Sequence, residues 1–130
     1  MARKKKSIQE VAAVIEPMAV EATPVNDLRA SLEEIKDYNG VIGYILRNST
    51  SAAIDLKDPT KIIDYAILSS SALDASEELS ELFHLGEVKN IVVEGKNVKV
   101  LSLTIGENRI SVFMEKNADS KKVLRKLHAL

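Results

Sequence analysis

Residues 58–86 have the sequence DPTKIIDYAILSSSALDASEELSELFHLG, and this stretch decides the fold. Asp58 can cap a helix, and Pro59 fits the first helical turn, where its missing amide hydrogen costs nothing. The pattern predicts a helix that continues to Phe83 or Leu85. At about 26 residues this helix would be about 40 Å long, which is long for a chain of 130 residues.

The first half of this helix is apolar around most of its circumference, since only Asp64 interrupts the run from Ile62 to Leu68. A helix that covers one sheet needs a single apolar stripe, so this composition predicts burial on more than one side. The residues expected to face the sheet are Ile63, Ala66, Ile67 and Ser70. The residues left for another cover are Ile62, Tyr65, Leu68, Ser69 and Ala72. We expect that cover to be a second copy of the helix.

Small side chains are frequent along the same helix, among them Ser69, Ala72 and Ser76. Small residues let two helix backbones approach closely, which supports a helix pair. The alternative is that they suit a tight contact between helix and sheet within one chain.

The flanking segments show strand and helix patterns in turn. A helix that Asn26 or Asp27 can cap ends at Gly40, and after Gly86 the hydrophobic period changes from helical to two. Asp119 can cap a final helix. The predicted strands are 41–46, 52–56, 90–94, 98–105 and 109–115. This order predicts an α+β fold in which a sheet with antiparallel neighbours carries helices on both sides.

The N-terminus has a different character. Residues 1–24 are predicted to be a basic tail with a short amphipathic helix, and residues 25–130 the folded domain. The basic run Arg3–Lys6 precedes Ser7 and Glu10, which form a capping box. The apolar face that follows consists of Ile8, Val11, Ala12 and Ile15. We expect either a solubilising tail or an arm that docks on a partner.

Several function classes are excluded by what the sequence lacks. It has no Cys and only two His, which removes disulfides, thiolate chemistry and a multi-histidine metal site within one chain. It has neither a Walker phosphate-binding loop nor a Gly-x-Ser-x-Gly elbow. A net charge of -1 and 4% aromatic residues argue against a nucleic-acid partner, and no apolar run approaches the roughly 18 residues of a membrane span. We expect a cytoplasmic protein without cofactor, metal or enzymatic activity.

Two sequence motifs relate this order of elements to a known protein family. Residues 40–46, GVIGYIL, enter the first hairpin, and the Ala/Ser-rich middle helix ends in ELSELF at residues 78–83. Together with the strand pair at 98–105 and 109–115, they resemble the roadblock/dynein light chain domain family. The resemblance covers about residues 25–130.

The resemblance implies a five-stranded antiparallel sheet between helices, in the order α-β-β-α-β-β-β-α, and homodimers formed through the middle helix and the following strand. It also implies a non-catalytic platform that binds and regulates a small Ras-like GTPase. The residues that we place in the dimer interface are Ile62, Tyr65, Ala66, Leu68, Ser69, Ala72, Asn90, Ile91, Val92 and Val93. Those that we place in possible contact with a partner are Arg47, Asp74, Glu78 and Glu81.

Alternatives stay open for both function and residues. The protein could be a scaffold or adaptor subunit of a complex without a GTPase, or a small-ligand sensor that uses a cleft beside the sheet. A solvated face accounts for the acidic stretch from Asp74 to Glu81, and Arg47 at a hairpin tip is either surface charge or an arginine finger. Family members often carry Asp and Gly in this hairpin, whereas here Asn48 would supply the positive φ.

Overall fold

The structure is a computed structural model that describes residues 23–129. The basic tail, its capping box and the amphipathic helix expected before residue 22 lie outside the described residues. The helices are α1 Thr23–Lys36, α2 Ile62–Phe83, preceded by a 3₁₀ turn at Pro59–Lys61, and α3 Ser120–His128. The strands are β1 Val41–Arg47, β2 Ala52–Leu56, β3 Asn90–Glu94, β4 Val98–Ile105 and β5 Asn108–Glu115.

The five strands form one antiparallel sheet in the order β2-β1-β5-β4-β3. The last strand of the sequence, β5, therefore lies in the middle, and β2 and β3 are the edges. The predicted α+β fold and its order of elements are confirmed. In the described part of the chain, no helix is both long and apolar enough to cross a membrane.

Helices cover both faces of the sheet. On one face, α1 and α3 pack over a buried cluster that includes Leu32, Ile110 and Leu127. On the other face, α2 packs over a smaller cluster around Phe113, whose ring is stacked on that of Tyr65 with centroids 4.6 Å apart. Side chains alternate between the two faces along each strand, so every central strand contributes to both clusters.

Helix α1 begins at Thr23, three residues before the first of its predicted caps. Asn26 and Asp27 therefore lie inside the helix, and their prediction as caps is wrong. Pro24 is the second residue of the helix, where proline costs no hydrogen bond and its fixed φ suits helical geometry.

The predicted end of α2 at Phe83 and the predicted cap at Asp58 are confirmed, but the first turn is 3₁₀ and the α-helix begins at Ile62. Asp58 accepts a hydrogen bond from the backbone N–H of Thr60 at 3.1 Å, which caps the 3₁₀ turn. The helix ends at Phe83, and His84 takes the left-handed conformation at φ 53°, with its N–H donating to the carbonyl oxygen of Ser80. This reversal directs the chain back toward the sheet, where it forms β3.

The hairpin between β1 and β2 closes through a side chain. The Asn48 carboxamide oxygen accepts hydrogen bonds from the backbone N–H groups of Thr50 and Ser51, at 2.9 and 3.0 Å. Among the described non-glycine residues only His84 has a positive φ, so the conformation expected of Asn48 is wrong. An Asx-type turn replaces it.

Candidate protein interface on α2 and β3

The side of helix α2 that we expected to face outward is largely the side that faces the sheet. Ser69 and Ala72 are only 3% and 5% exposed, whereas Ile63 and Ile67 are 73% and 61% exposed. The prediction that Ile63 and Ile67 face the sheet is therefore wrong. Ala66 and Ser70, also expected to face the sheet, do so: Ala66 packs on the cluster around Phe113, and Ser70 contacts Arg47 of β1.

The six α2 residues assigned to a dimer interface consequently lie on the side of α2 next to the chain's own sheet. Four of them are half-buried against the cluster around Phe113, namely Ile62, Tyr65, Ala66 and Leu68. The other two, Ser69 and Ala72, are buried. Of the predicted β3 residues, Asn90 and Ile91 are half-buried, while Val92 and Val93 are 44% and 39% exposed.

A chain of buried serines explains this orientation. The hydroxyl oxygens of Ser69 and Ser111 are 2.6 Å apart, and those of Ser111 and Ser102 are 2.7 Å apart. Each hydroxyl is buried and needs a partner, and here the three serines supply partners to one another. The serine of α2 is therefore held against the serines of β4 and β5, and the large isoleucines are turned away.

The exposed large apolar side chains fall in one region of the sequence. In the part of the chain that the structure describes, all of them lie between residues 63 and 93, on α2, on the link that follows it, and on β3. They are Ile63, Ile67, Leu79, Leu82, Phe83, Leu85, Val92 and Val93. We call this set the apolar band. Several exposed large apolar side chains on neighbouring elements mark a candidate interaction site.

Strand β3 adds backbone groups to the band. It is paired with β4 on one side, and no strand among residues 23–129 pairs with its other side. An open edge presents unpaired N–H and C=O groups, which can accept another strand. Its sequence, NIVVE, has no Lys or Pro to oppose such pairing.

Charge is distributed unevenly around the band. Residues 62–88 contain six Asp and Glu but no Lys or Arg. The guanidinium of Arg109 on β5 is 3.2 Å from the Asp74 carboxylate and 3.9 Å from that of Glu77. Glu78 and Glu81, like Asp74, are exposed, so this half of α2 presents an acidic surface.

Arg47 is placed differently from the other predicted partner contacts. It is the last residue of β1, paired in the sheet directly before the turn, and is half-buried. Its guanidinium donates a hydrogen bond of 2.7 Å to the hydroxyl of Ser70. In this position Arg47 ties β1 to α2, a structural contact that the sequence pattern did not reveal.

A cleft of about 410 Å³ lies beside the second half of α2. Its lining residues are Leu73, Ser76, Glu77, Ser80, Glu81, Gly86, Glu87, Val88 and Thr104. It contains three carboxylates and no cation, and in the part of the chain described here no cluster of side chains could hold a metal ion. This cleft is the feature closest to the one expected of a small-ligand sensor.

The order of elements, the antiparallel sheet and the exposed α2–β3 face define the class of protein. The chain has the fold of the Roadblock/LC7 domain, as the resemblance implied.

Solved structures support this assignment. The Roadblock/LC7 domain from Streptomyces avermitilis is 15% identical with a TM-score of 0.62, over 78% of this chain and 85% of that one. Myxococcus xanthus MglB is 15% identical with a TM-score of 0.62, over 79% and 87%. An MglB with a tetrameric arrangement is 22% identical with a TM-score of 0.59, over 82% and 87%. No protein-family model and no curated protein sequence matches the chain.

Proposed function

We propose that the protein is a non-enzymatic homodimer assembled through the apolar band, and that this dimer is a cytoplasmic platform that binds and regulates a small Ras-like GTPase. The observation that carries the proposal is that, within residues 23–129, the exposed large apolar side chains are confined to α2, the following link and β3. Covering such side chains gains roughly 25 cal/mol for each Å² of apolar surface removed from water.

A second copy is the cover that fits both features of the band together. Under twofold symmetry, β3 pairs with β3 of the partner while α2 lies beside α2. The outer side of α2 carries Ile63 and Ile67 together with exposed small residues, Ser71 and Ala75. Large and small side chains in alternation let two helices interdigitate at close range. The interface thus takes Ile63 and Ile67 in place of Ser69 and Ala72.

The proposal of a GTPase partner rests on the likeness in fold to Roadblock/LC7 domains, together with the family resemblance of the sequence motifs. The dimer would present a rigid surface to the switch loops of the GTPase. It would change the populations of those loops through its different affinity for their conformations. Asp74, Glu78 and Glu81 would bias the docking of a partner with a basic surface.

The dimer is tested by Ile67→Arg, which places a charge on the outer side of α2, within the apolar band. Ala30→Arg is the matched control, because it adds the same side chain to an exposed position of α1. Light scattering after size exclusion should give twice the chain mass for the wild type and for Ala30→Arg. Ile67→Arg should give the mass of one chain, with an unchanged circular dichroism spectrum. A wild type that is monomeric at micromolar concentration contradicts the proposal.

The partner is tested with the small Ras-like GTPases encoded in the same genome, each loaded with GDP or a GTP analogue. We expect the dimer to retain at least one of them in one nucleotide state and to change its rate of GTP hydrolysis. Ile67→Arg should lose both effects. If the dimer forms but no GTPase is retained and no hydrolysis rate changes, the scaffold function replaces this one.

A further inference from the structure

The cleft beside α2 combines a small apolar floor of two residues with an acidic rim and polar walls. Leu73, which is 3% exposed, and the half-buried Val88 form apolar lining, while Glu77, Glu81 and Glu87 are exposed at its margin. Within residues 23–129, no salt bridge reaches Glu81 or Glu87. A cleft of this kind suits a ligand with apolar groups beside a cluster of positive charges.

The cleft lies at the end of the sheet where α1 begins. Helix α1 packs on β1 and reaches it through four residues, so the two run in opposite directions and Thr23 lies near the end of β1, at Arg47. In the sheet Arg47 is paired with Arg109, and Arg109 with Thr104, a lining residue of the cleft. The segment before α1 therefore enters the domain at the cleft's end of the sheet.

That segment carries the positive charges that the cleft lacks. Its basic run, Arg3–Lys6, carries four positive charges, and the only acidic residue among the first ten is Glu10. The apolar residues that follow are Ile8, Val11, Ala12 and Ile15. In contrast, residues 62–88 contain six acidic residues and no Lys or Arg.

We propose that residues 3–15 dock on the cleft of their own chain, with the basic run against Glu77, Glu81 and Glu87 and the apolar residues against its floor. The segment then shields the end of the apolar band nearest to Phe83 and Leu85. The protein thus carries its own ligand for a surface that a partner would otherwise use.

The connection makes this contact within one chain only when it is almost fully extended. Residues 16–22 span about 23 Å when extended. The two helix layers lie on opposite faces of the sheet, about 20 Å apart at typical packing distances of about 10 Å per layer. Thr104 of the cleft lies on β4, two strand spacings or about 10 Å from β1, so the separation is about 22 Å before the path around the end of the sheet is counted.

Cross-linking tests the docking directly, because the chain has no Cys and introduced thiols are the only ones. Ser7→Cys is combined in the full chain with Thr104→Cys, at an exposed position of the cleft. The control combines Ser7→Cys with Ser49→Cys, which is exposed in the hairpin between β1 and β2 and does not line the cleft. A short bismaleimide should link the first pair within one chain about tenfold faster, since docking raises the effective concentration of the thiol. Equal rates, or linkage only between two chains, would overturn the proposal.

Charge reversal tests the recognition. In the Ser7→Cys, Thr104→Cys chain, Glu81→Lys with Glu87→Lys should lower the rate of linkage to that of the control pair. Adding Lys4→Glu with Lys5→Glu should restore it. Raising the salt from about 0.1 M to about 1 M shortens the screening length from about 10 to about 3 Å, and should slow linkage in the unreversed chain. A rate that is unchanged by reversal would overturn the proposed pairing.

The proposed docking and the proposed dimer are tested by independent measurements. The dimer is judged by the mass in solution of the wild type and Ile67→Arg, and the docking by the rate of linkage within a chain. Linkage at the control rate in a chain that dimerises removes the docking alone. Rapid linkage in a chain that stays monomeric removes the dimer alone.

Discussion

The two faces of the sheet are completed to different degrees by the same chain. On the face covered by α1 and α3, fourteen described residues form one buried cluster, and Leu32 and Ile110 have no exposed surface. On the face covered by α2, the buried cluster has four residues, and its margin is only half-buried. The first face resembles the interior of a finished domain, whereas the second resembles half of an interface.

The difference shows that hydrophobicity alone does not set the orientation of α2. The helix places Ser69 and Ser76 toward the sheet and leaves Ile63 and Ile67 in solvent. The Ser76 hydroxyl donates a hydrogen bond of 2.7 Å to the carbonyl oxygen of Leu73, so Ser76 too is buried without an unpaired polar group. Polar residues inside and large apolar residues outside are favourable together only if the outer side is covered as well.

The largest expected contrast is between truncations on the two faces. Leu32→Ala should lower the free energy of unfolding by about 3 kcal/mol, because it leaves a cavity in the α1–α3 face. Ile67→Ala removes a side chain that is 61% exposed in the single chain, so its cost should appear only through dimerisation and grow with protein concentration. Urea denaturation at several concentrations measures both. If Ile67→Ala is equally costly at the lowest concentration, the outer side of α2 is packed within one chain.

A smaller effect is expected at the serines under α2. Ser111→Ala removes the shared partner of Ser69 and Ser102, and leaving buried hydroxyls unpaired should cost about 1–2 kcal/mol. Replacing all three serines by Ala should cost less than the single change, since no hydroxyl is left unpaired. Ser49→Ala, at an exposed position of the hairpin between β1 and β2, is the control in the same urea experiment. A triple variant that is less stable than Ser111→Ala would show that the hydroxyls attract each other beyond mutual satisfaction.

Much of the fold followed from the sequence because its signals are local. The cap at Asp58, the end of α2 at Phe83 and the change of period after Gly86 each depend on a few neighbouring residues, and each is confirmed. The start of α1 was missed because Asn26 and Asp27 are good caps in isolation, while the helix extends to Thr23.

The facing of α2 could not be obtained from its own sequence, because a helix that is apolar all round has no unique inner side. The orientation depends on residues that are distant along the chain. Ser102 and Ser111 are paired across β4 and β5, and the Ser111 hydroxyl forms a hydrogen bond with that of Ser69 between helix and sheet. A serine in the middle of each of two apolar strands was the available signal. Likewise, the Arg47 guanidinium donates a hydrogen bond to the Ser70 hydroxyl, a contact that requires the strand to lie beneath the helix.

The completed face also holds a buried titratable group, which gives the smallest expected effect. Tyr44 is 2% exposed, and its hydroxyl donates a hydrogen bond to the Glu33 carboxylate. Burial, and then this hydrogen bond, raise the pKa of Tyr44 above its ordinary value of 10.0. The same hydrogen bond lowers the pKa of Glu33. The Lys36 ammonium lies 3.1 Å from Glu33 and 2.6 Å from Asp55, and hydrogen bonds to both carboxylates raise its pKa.

A raised pKa in the folded state means that the neutral phenol stabilises the fold below pH 10, and that this contribution is lost as the pH rises and the unfolded chain ionises first. Relative to pH 8, the difference in unfolding free energy between the wild type and Tyr44→Phe should shift against the wild type by about 0.4 kcal/mol at pH 10. Lys36 loses its own contribution at similar pH in both proteins, so the difference between the two urea curves isolates the phenol. Parallel stability curves from pH 8 to pH 10 would mean that the Tyr44 hydroxyl is already in solvent, and that even the α1–α3 face is open at its margin beside β2.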